Sequence, residues 1–205
     1  KLGTSEVITP SNVTDTMIDK FGEDFLFDII GKHSRIVELS AETGECAIAL
    51  VKRFEKMGIF LDEVRRVVCS IPASPLAYEL TKKVYELLGL DPDNIYPFSA
   101  YDLLDAVMSD SGAVDETAMK RVSAIMKQNK KPCDIKLDDV IEEGTDKVNI
   151  DAIVGNPPYQ KDTNKSYKPP VYNEFMEFAF KTANVVILIT PARFLFNAGG
   201  TPTVW

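Results

Sequence analysis

Short runs of β-branched and other apolar residues alternate along the chain with longer segments whose apolar positions recur at helical spacing. The apolar runs predict strands at residues 35–39, 66–70, 94–98, 150–154 and 185–190. The helical spacing predicts helices at residues 13–30, 44–57, 74–88, 115–128 and 171–182. This alternation favours an α/β fold with a doubly wound, mostly parallel sheet.

Polar residues follow several of the predicted strands. Glu38 and Ser70 end the first two, Asp102 follows the third and Asn156 follows the fourth. In doubly wound sheets, ligands bind beyond the carboxyl ends of the strands, where the strand order reverses. The pattern therefore predicts one site at this edge of the sheet.

The fourth strand leads directly into Asn156-Pro157-Pro158-Tyr159. This string is expected by chance in roughly one chain in a thousand of this length. The Asn156 side-chain oxygen and a main-chain carbonyl, most simply that of Pro157, would form two fixed acceptors for the N–H groups of a conjugated amino group. Tyr159 offers a flat face for an unstacked base. The competing interpretation is a proline-rich strand exit with a surface tyrosine.

Length and composition favour a single domain over residues 1–205, since 205 residues with 45% apolar content can bury one sizeable core. No apolar run is long enough to cross a bilayer and no leader is evident, so we expect a soluble, cytoplasmic protein without membrane contact. Cys46, Cys69 and Cys133 are widely spaced and His33 is the sole histidine. This argues against a disulfide framework or a metal site.

The charge balance limits how the chain could bind nucleic acid. A net charge of −8, from 31 acidic and 23 basic residues, gives no overall basic footprint. DNA binding would need local patches, and residues 127–131 form one candidate. Lys161, Lys165 and Lys168 form another, better placed because they follow Tyr159. Solvated loop lysines are the competing interpretation, and acidic residues 138–146 are expected to face solvent or a partner.

Residues 156–159, after an apolar strand, resemble the catalytic motif of S-adenosylmethionine-dependent N6-adenine DNA methyltransferases of restriction-modification systems. Thr9-Pro10 resembles the element that precedes the family's first strand, and residues 35–44 resemble that strand and its turn. The order of motifs matches from residue 6 to about residue 197. The resemblance implies a Rossmann-like methyltransferase fold. It also implies that double-stranded DNA is the substrate and that a restriction subunit or domain is a possible partner.

The resemblance implies that S-adenosylmethionine lies along the carboxyl edge of the sheet. Thr9 would help to hold its methionine carboxylate, Glu38 would contact its amino-acid end, and Asp102 would accept from its adenine amino group. A helix cap is the competing role for Thr9 and for Asp102. The implied cofactor contacts are Thr9, Pro10, Glu38, Ser40, Gly44, Ser70, Ile71, Asp102, Leu103 and Asn156.

Two departures from the family pattern concern the cofactor. The family's first turn usually has two or more glycines in a form like Asp/Glu-Pro-x-x-Gly-x-Gly, whereas residues 38–44 contain a single glycine, Gly44. Ser70 stands nearest to the place where an acid normally binds the ribose hydroxyls. A neutral hydrogen bond contributes about 1 kcal/mol and a charged one about 1.5–3 kcal/mol, so the affinity would be about one or two orders of magnitude weaker.

Four functions remain open at this point. Adenine-N6 methylation is favoured, because cytosine-N4 enzymes more often have Ser at the position of Asn156. Protein-glutamine methyltransferases share the tetrapeptide, and a non-catalytic module would fit the weakened ribose site. Members of the family normally continue into a target-recognition domain, so we expect a catalytic domain that is incomplete at its C-terminus and lacks that domain.

Overall fold

The computed structural model describes residues 8–109, 114–141, 147–160 and 170–192. Four strands form the sheet: β1 Arg35–Ala41, β2 Val68–Pro72, β3 Ile150–Gly155 and β4 Val185–Leu188. Eight helices surround it in the described part: α1 Ser11–Asp19, α2 Glu23–Lys32, α3 Glu45–Lys56, α4 Leu61–Val67, α5 Pro75–Leu88, α6 Ala100–Val107, α7 Glu116–Met126 and α8 Tyr172–Thr182. Single 3-10 turns occur at Pro92–Asn94 and Pro132–Asp134. No helix in these ranges is long and apolar enough to cross a membrane.

All four strands are parallel, in the order β2-β1-β3-β4. Residues of β1, β2 and β3 are buried throughout, while those of β4 are partly exposed. Strands covered on both faces read as continuous apolar runs, and this is why they could be located in the sequence. The predicted mostly parallel α/β fold is confirmed.

The side chains of successive strand residues point alternately into two hydrophobic cores, one on each face of the sheet. Ile36 and Val68 point into a core built with α1 to α5. Val37 and Ile71 point into the other core, which is built with α6, α7 and α8. This follows from the two-residue period of a strand, and it establishes the doubly wound arrangement.

Several helix boundaries differ from the predicted ones. The single helix predicted at residues 13–30 is two helices, because Gly22 has φ 75° and interrupts the helical path. Helix α5 begins where Ser74 accepts from the amide of Ala77 and ends before Gly89, close to the predicted residues 74–88. Helices α4 and α6 were not predicted; they have 7 and 8 residues, too few for a clear period.

The strand predicted at residues 94–98 is wrong. Only Ile95 bridges to Ser70, through the amide of Tyr96, which donates to the Ser70 carbonyl at 2.9 Å. A proline lacks the N–H that a ladder needs, and Pro97 lies inside the segment. It therefore lies beside β2 as a single bridge and does not extend the sheet.

Candidate active site

The strand order reverses between β1 and β3. From β1 the chain crosses to β2 on one side, and it later returns to β3 on the other side of β1. Parallel sheets of this kind open a crevice at such a switch point, beyond the carboxyl ends of the two strands. Ser40 and Asn156 occupy these two ends, so the structure brings two predicted site residues to the edges of one crevice.

Asn156 is the first residue after β3, and its side chain has a fixed orientation. The amide nitrogen Nδ2 donates to the hydroxyl oxygen of Thr9 at 3.2 Å. The amide oxygen Oδ1 is buried, and no donor from the described residues reaches it. The side chain therefore holds a buried acceptor just after the end of β3, without a donor among the described residues.

The turn that follows Asn156 is held at its far end by two hydrogen bonds. Pro157 and Pro158 are buried, and Tyr159 is half-buried, which raises the pKa of its phenol. The Tyr159 carbonyl accepts from the amide of Val171 at 3.1 Å, just before α8. The hydroxyl of Tyr101, on α6, donates to the carbonyl of Gln160 at 3.4 Å. Lys161, Lys165 and Lys168 lie outside the described residues.

Gly155 lets β3 approach β1 closely. A Cβ atom at this position would lie 2.2 Å from the carbonyl oxygen of Leu39, a backbone atom that cannot swing aside. Only glycine fits there without moving a strand. Because Asn156 is the next residue, this contact fixes its distance from the end of β1.

The first turn contains an unusual backbone at Ser40. Its φ is 64°, in the left-handed region, and the pairing of β1 with β2 shifts register between Leu39 and Ala41. A left-handed conformation costs a residue with a Cβ about 1–2 kcal/mol, and such strain clusters at functional sites. Gly44 also has a positive φ, 76°, and begins α3. Its role is thus the left-handed turn, since an added Cβ would meet only ordinary contacts.

The carboxylate of Glu38 is bound inside the fold. Its Oε1 accepts from the amide of Cys46 at 2.8 Å, and its Oε2 accepts from the amide of Ala47 at 3.3 Å. Burial, and next the charge of Glu45, raise the pKa of Glu38 to about 7 against the opposing effect of the Cys46 amide. These bonds anchor the first turn of α3. Glu38 therefore supports the turn on which a cofactor would rest.

Ser70, Ile71 and Leu103 are all buried and present no surface at the crevice. The Ser70 hydroxyl donates to Glu38 Oε2 at 3.0 Å and lies 2.9 Å from the hydroxyl of Tyr85. In this arrangement it has no exposed face for a ribose. Ile71 and Leu103 pack in the core on the α6 side of the sheet.

A cleft of about 250 Å³ opens beyond the end of β2, between α5 and α6. Asp102 lines it, and its carboxylate also accepts from the amide of Ser99 at 2.8 Å and from the Ser99 hydroxyl at 2.7 Å. This is the helix cap that competed with a ligand role, and the two roles are compatible because Asp102 remains exposed. The cleft is lined by Pro72, Ser74, Pro75, Tyr78, Glu79, Pro97, Phe98, Ser99 and Asp102.

Sequence reasoning missed Tyr78 and Glu79 at this edge, and it missed one contact between two residues that it did predict. Tyr78 and Glu79 line the cleft, and their spacing from Pro75 on one face of a predicted helix was a usable signal. Pro10 begins α1 without a side-chain cap, so Thr9 is not the cap of that helix. The contact between Thr9 and Asn156 joins residues 147 positions apart and left no signal in the sequence.

The basic candidate at residues 127–131 lies at the opposite edge of the sheet. Arg35, the first residue of β1, donates to the carbonyls of Met126 and Lys130 and so holds this segment at the amino edge. Lys131 pairs with Asp93 at 2.6 Å and Lys130 with Asp139 at 3.9 Å. These lysines do not border the crevice.

Solved structures with the same fold come from restriction-modification systems. The ATP-dependent type ISP restriction-modification enzyme LlaBIII, bound to DNA, gives a TM-score of 0.58 at 15% identity over 95% of this chain and 15% of that one. A type I methyltransferase subunit from Streptococcus thermophilus gives 0.55 at 16% identity, over 95% of this chain and 36% of that one. A modification subunit of a putative type I restriction enzyme from Vibrio vulnificus YJ016 gives 0.53 at 14% identity, over 97% and 37%.

These identities show a shared fold, and the chain spans between 15% and 37% of the length of the three proteins. A comparison with curated proteins gives no match. The sequence profile of the Eco57I restriction-modification methylases matches residues 68–205, more than half of the chain and including Asn156 to Tyr159. The chain therefore belongs to the Eco57I restriction-modification methylase family, as its resemblance to adenine-modifying restriction-modification enzymes implied.

Proposed function

We propose that this chain is the catalytic domain of a restriction-modification enzyme that transfers a methyl group from S-adenosylmethionine to the N6 amino group of an adenine in DNA. The observation that carries the proposal is the buried Oδ1 of Asn156, which no described donor reaches. A buried acceptor without a donor costs about 1–3 kcal/mol. A substrate N–H that bonds to it would remove this penalty.

The amino group of adenine is a weak nucleophile because its lone pair is delocalised into the ring. Asn156 Oδ1 and the carbonyl of Pro157 would accept its two hydrogens and hold the nitrogen out of conjugation, aligned for reaction. The half-buried Tyr159 would stack on the base, which must first leave the duplex at a cost of a few kcal/mol. Asn156 is a neutral amide, so its role is to position the hydrogens. When the nitrogen takes the methyl group, the sulfonium would leave as a neutral thioether and the surplus proton of the nitrogen would pass to water.

The residues present fit S-adenosylmethionine. The cleft beyond β2 has largely apolar walls and two exposed carboxylates, Glu79 and Asp102, and we assign the adenine amino group to Asp102. The turn from Ser40 to Gly44, anchored by Glu38, would hold the amino-acid end, with Thr9 and Pro10 on the other side of the crevice. When bound, the cofactor would supply a methyl group activated by its sulfonium charge.

DNA binding would depend on local basic residues, because the chain carries a net charge of −8. Lys161, Lys165 and Lys168 follow the tetrapeptide and are the proposed phosphate contacts. A target-recognition domain and a restriction subunit or domain are the proposed partners, in keeping with LlaBIII, which is a restriction-modification enzyme bound to DNA.

A non-catalytic module of a restriction complex is the second candidate, and one observation favours it. Ser70 has no exposed surface and forms its hydrogen bonds with Glu38 and Tyr85, so β2 offers no carboxylate to a ribose. Titration calorimetry with S-adenosylmethionine separates the two candidates. Binding supports the enzyme, and an absence of binding supports the module.

The catalytic role is tested by methyl transfer in the whole natural protein that contains these residues. Labelled S-adenosylmethionine is offered with unmethylated DNA or with a glutamine-bearing protein, and the modified base is identified. Asn156→Ala should abolish transfer to adenine and leave cofactor binding intact. Asn129→Ala, at an exposed site on the opposite edge, is the matched control and should retain full activity. Transfer to cytosine or to glutamine, or full activity of Asn156→Ala, would contradict the proposal.

A further inference from the structure

We propose that Thr9 is a positioning residue that sets which end of the Asn156 amide faces the substrate. This inference rests on the proposed function and extends it to a residue in a distant part of the chain. The Thr9 hydroxyl oxygen accepts from Asn156 Nδ2 at 3.2 Å, across 147 residues of sequence. Thr9 is only 8% exposed, so water has little access to the hydroxyl.

The amide of an asparagine can rotate by half a turn with little change in shape, because the torsion at its end is roughly two-fold. One orientation presents an oxygen to the crevice and the other presents an NH₂ group. An NH₂ group facing the amino group of a base would set donor against donor. In the structure the Thr9 oxygen accepts from the NH₂ group, which leaves the buried Oδ1 as the remaining acceptor. The hydroxyl selects this orientation when its own hydrogen is donated elsewhere, because its oxygen can then only accept.

The position of Thr9 itself is well defined by its neighbours. Pro10 follows it with φ −58° and ψ 144°, and the Pro10 carbonyl accepts from the amide of Val13 at 2.9 Å. Helix α1 then packs into the same core as α3, so the residues before it are tied to the fold. No side-chain bond caps α1, which leaves the Thr9 hydroxyl to Asn156.

This role differs from a contact with the methionine carboxylate of the cofactor. A hydroxyl has one hydrogen to donate and two lone pairs that accept. Positioning of Asn156 uses a lone pair, whereas a carboxylate would take the hydrogen. The two roles predict different losses when the hydroxyl is removed: a slower methyl-transfer step in one case, and weaker cofactor binding in the other.

Thr9→Val and Thr9→Ser form a matched pair, since valine keeps the shape and serine keeps the hydroxyl. They are compared in the whole natural protein, with cofactor affinity from calorimetry and the single-turnover rate of adenine methylation at saturating cofactor and DNA. Thr9→Val should lower the rate about 10- to 100-fold and leave the cofactor Kd within about twofold. Thr9→Ser should keep the rate within about threefold. Urea midpoints check that both variants are folded.

Asn156→Asp supplies a readout that a merely structural contact would not move. Its two oxygens are equivalent, so orientation no longer matters, and Thr9→Val should then reduce the rate by a smaller factor than in the natural protein. An equal factor in both backgrounds, an unchanged rate in Thr9→Val, or a loss confined to cofactor affinity would overturn the inference. If Asn156→Ala still methylates adenine at the natural rate, the proposed function has failed instead.

Discussion

The hydroxyl of Ser70 donates a hydrogen bond of 3.0 Å to the buried carboxylate of Glu38, from the neighbouring strand of the sheet. The same hydroxyl lies 2.9 Å from the hydroxyl of Tyr85, so three buried polar groups form one chain of contacts between β1, β2 and α5. Buried polar chains of this kind stabilise a fold only when every member has a partner. Ser70 is the central member, and its loss would leave both of the others short of a contact.

Ser70→Ala should therefore lower the free energy of unfolding by about 1–3 kcal/mol, because Glu38 loses a hydrogen bond and the buried hydroxyl of Tyr85 loses its partner Ser70. Tyr85→Phe removes only the outer hydroxyl and should cost about 1 kcal/mol. Urea unfolding of both variants gives the comparison. Ser70→Asp should be less stable than Ser70→Ala, because it sets a second carboxylate against Glu38. A stable Ser70→Ala variant with weakened cofactor binding would instead assign Ser70 to the ribose.

Glu38→Gln should remove a pH dependence of stability. Burial raises the pKa of Glu38 from 4.5 to about 7, so between these values the folded protein binds a proton that the unfolded chain has lost. The stabilisation from this group is complete below about pH 4.5 and is lost as the pH rises to about 7, a change on the order of 2–3 kcal/mol. The measurement is the difference in urea stability between Glu38→Gln and the natural protein at several pH values. Glu45→Gln should lower the upper end of this pH range, because the Glu45 charge contributes to the raised pKa of Glu38. A difference in stability between Glu38→Gln and the natural protein that does not vary with pH would contradict the assignment.

Gly155→Ala should lower the free energy of unfolding much more than Gly44→Ala does. A Cβ at Gly155 would lie 2.2 Å from a backbone oxygen, so β1 and β3 must separate, and we expect a loss of at least about 3 kcal/mol. At Gly44 the nearest atoms are side-chain carbons at 3.5 Å and 3.6 Å, and only the left-handed backbone is penalised, by about 1–2 kcal/mol. Thermal or urea unfolding tests whether Gly155→Ala is the less stable of the two variants. Equal losses would mean that the approach of the two strands is not rigid.

Asp102→Ala should weaken binding of S-adenosylmethionine by about tenfold or more, if its carboxylate accepts from the adenine amino group through a charge-assisted bond. It should also cost about 1 kcal/mol of stability, because it removes half of the capping box of α6. Ser99→Ala is the control, since it breaks the same cap and keeps the carboxylate. Because Ser99 also lines the cleft, calorimetry should find its cofactor affinity reduced by a clearly smaller factor than that of Asp102→Ala. Equal weakening in both variants would identify the effect as one of helix capping.

The fold could be predicted because its signals are local. Buried parallel strands give largely apolar runs, as in β1 and β3, and the polar residue near the end of each run marks the carboxyl edge of the sheet. The failures have equally local causes. Pro97 removes a donor that a strand at residues 94–98 would need, and Gly22 divides a helix that the apolar spacing alone could not divide.

The side-chain partners at the site could not be predicted from the sequence. Ser70 was expected near a ribose from its place at the end of a strand, but its hydroxyl faces Tyr85, a residue on α5 whose side chain extends back over the sheet. The bond between Thr9 and Asn156 depends on how α1 packs against the rest of the fold. Such contacts are set by three-dimensional packing and leave no period or spacing in the sequence.

Strand β1 is held by hydrogen bonds at its first residue and has a strained backbone near its last. Arg35 ties the amino edge to the carbonyls of Met126 and Lys130, while Ser40 holds an unfavourable φ of 64° beside the crevice. Five residue steps along the strand, about 17 Å, separate Arg35 from Ser40. The amino edge is therefore the region in which to place substitutions that raise the melting temperature, because changes there leave the strained Ser40 in place. Relaxing a strained active site often lowers turnover.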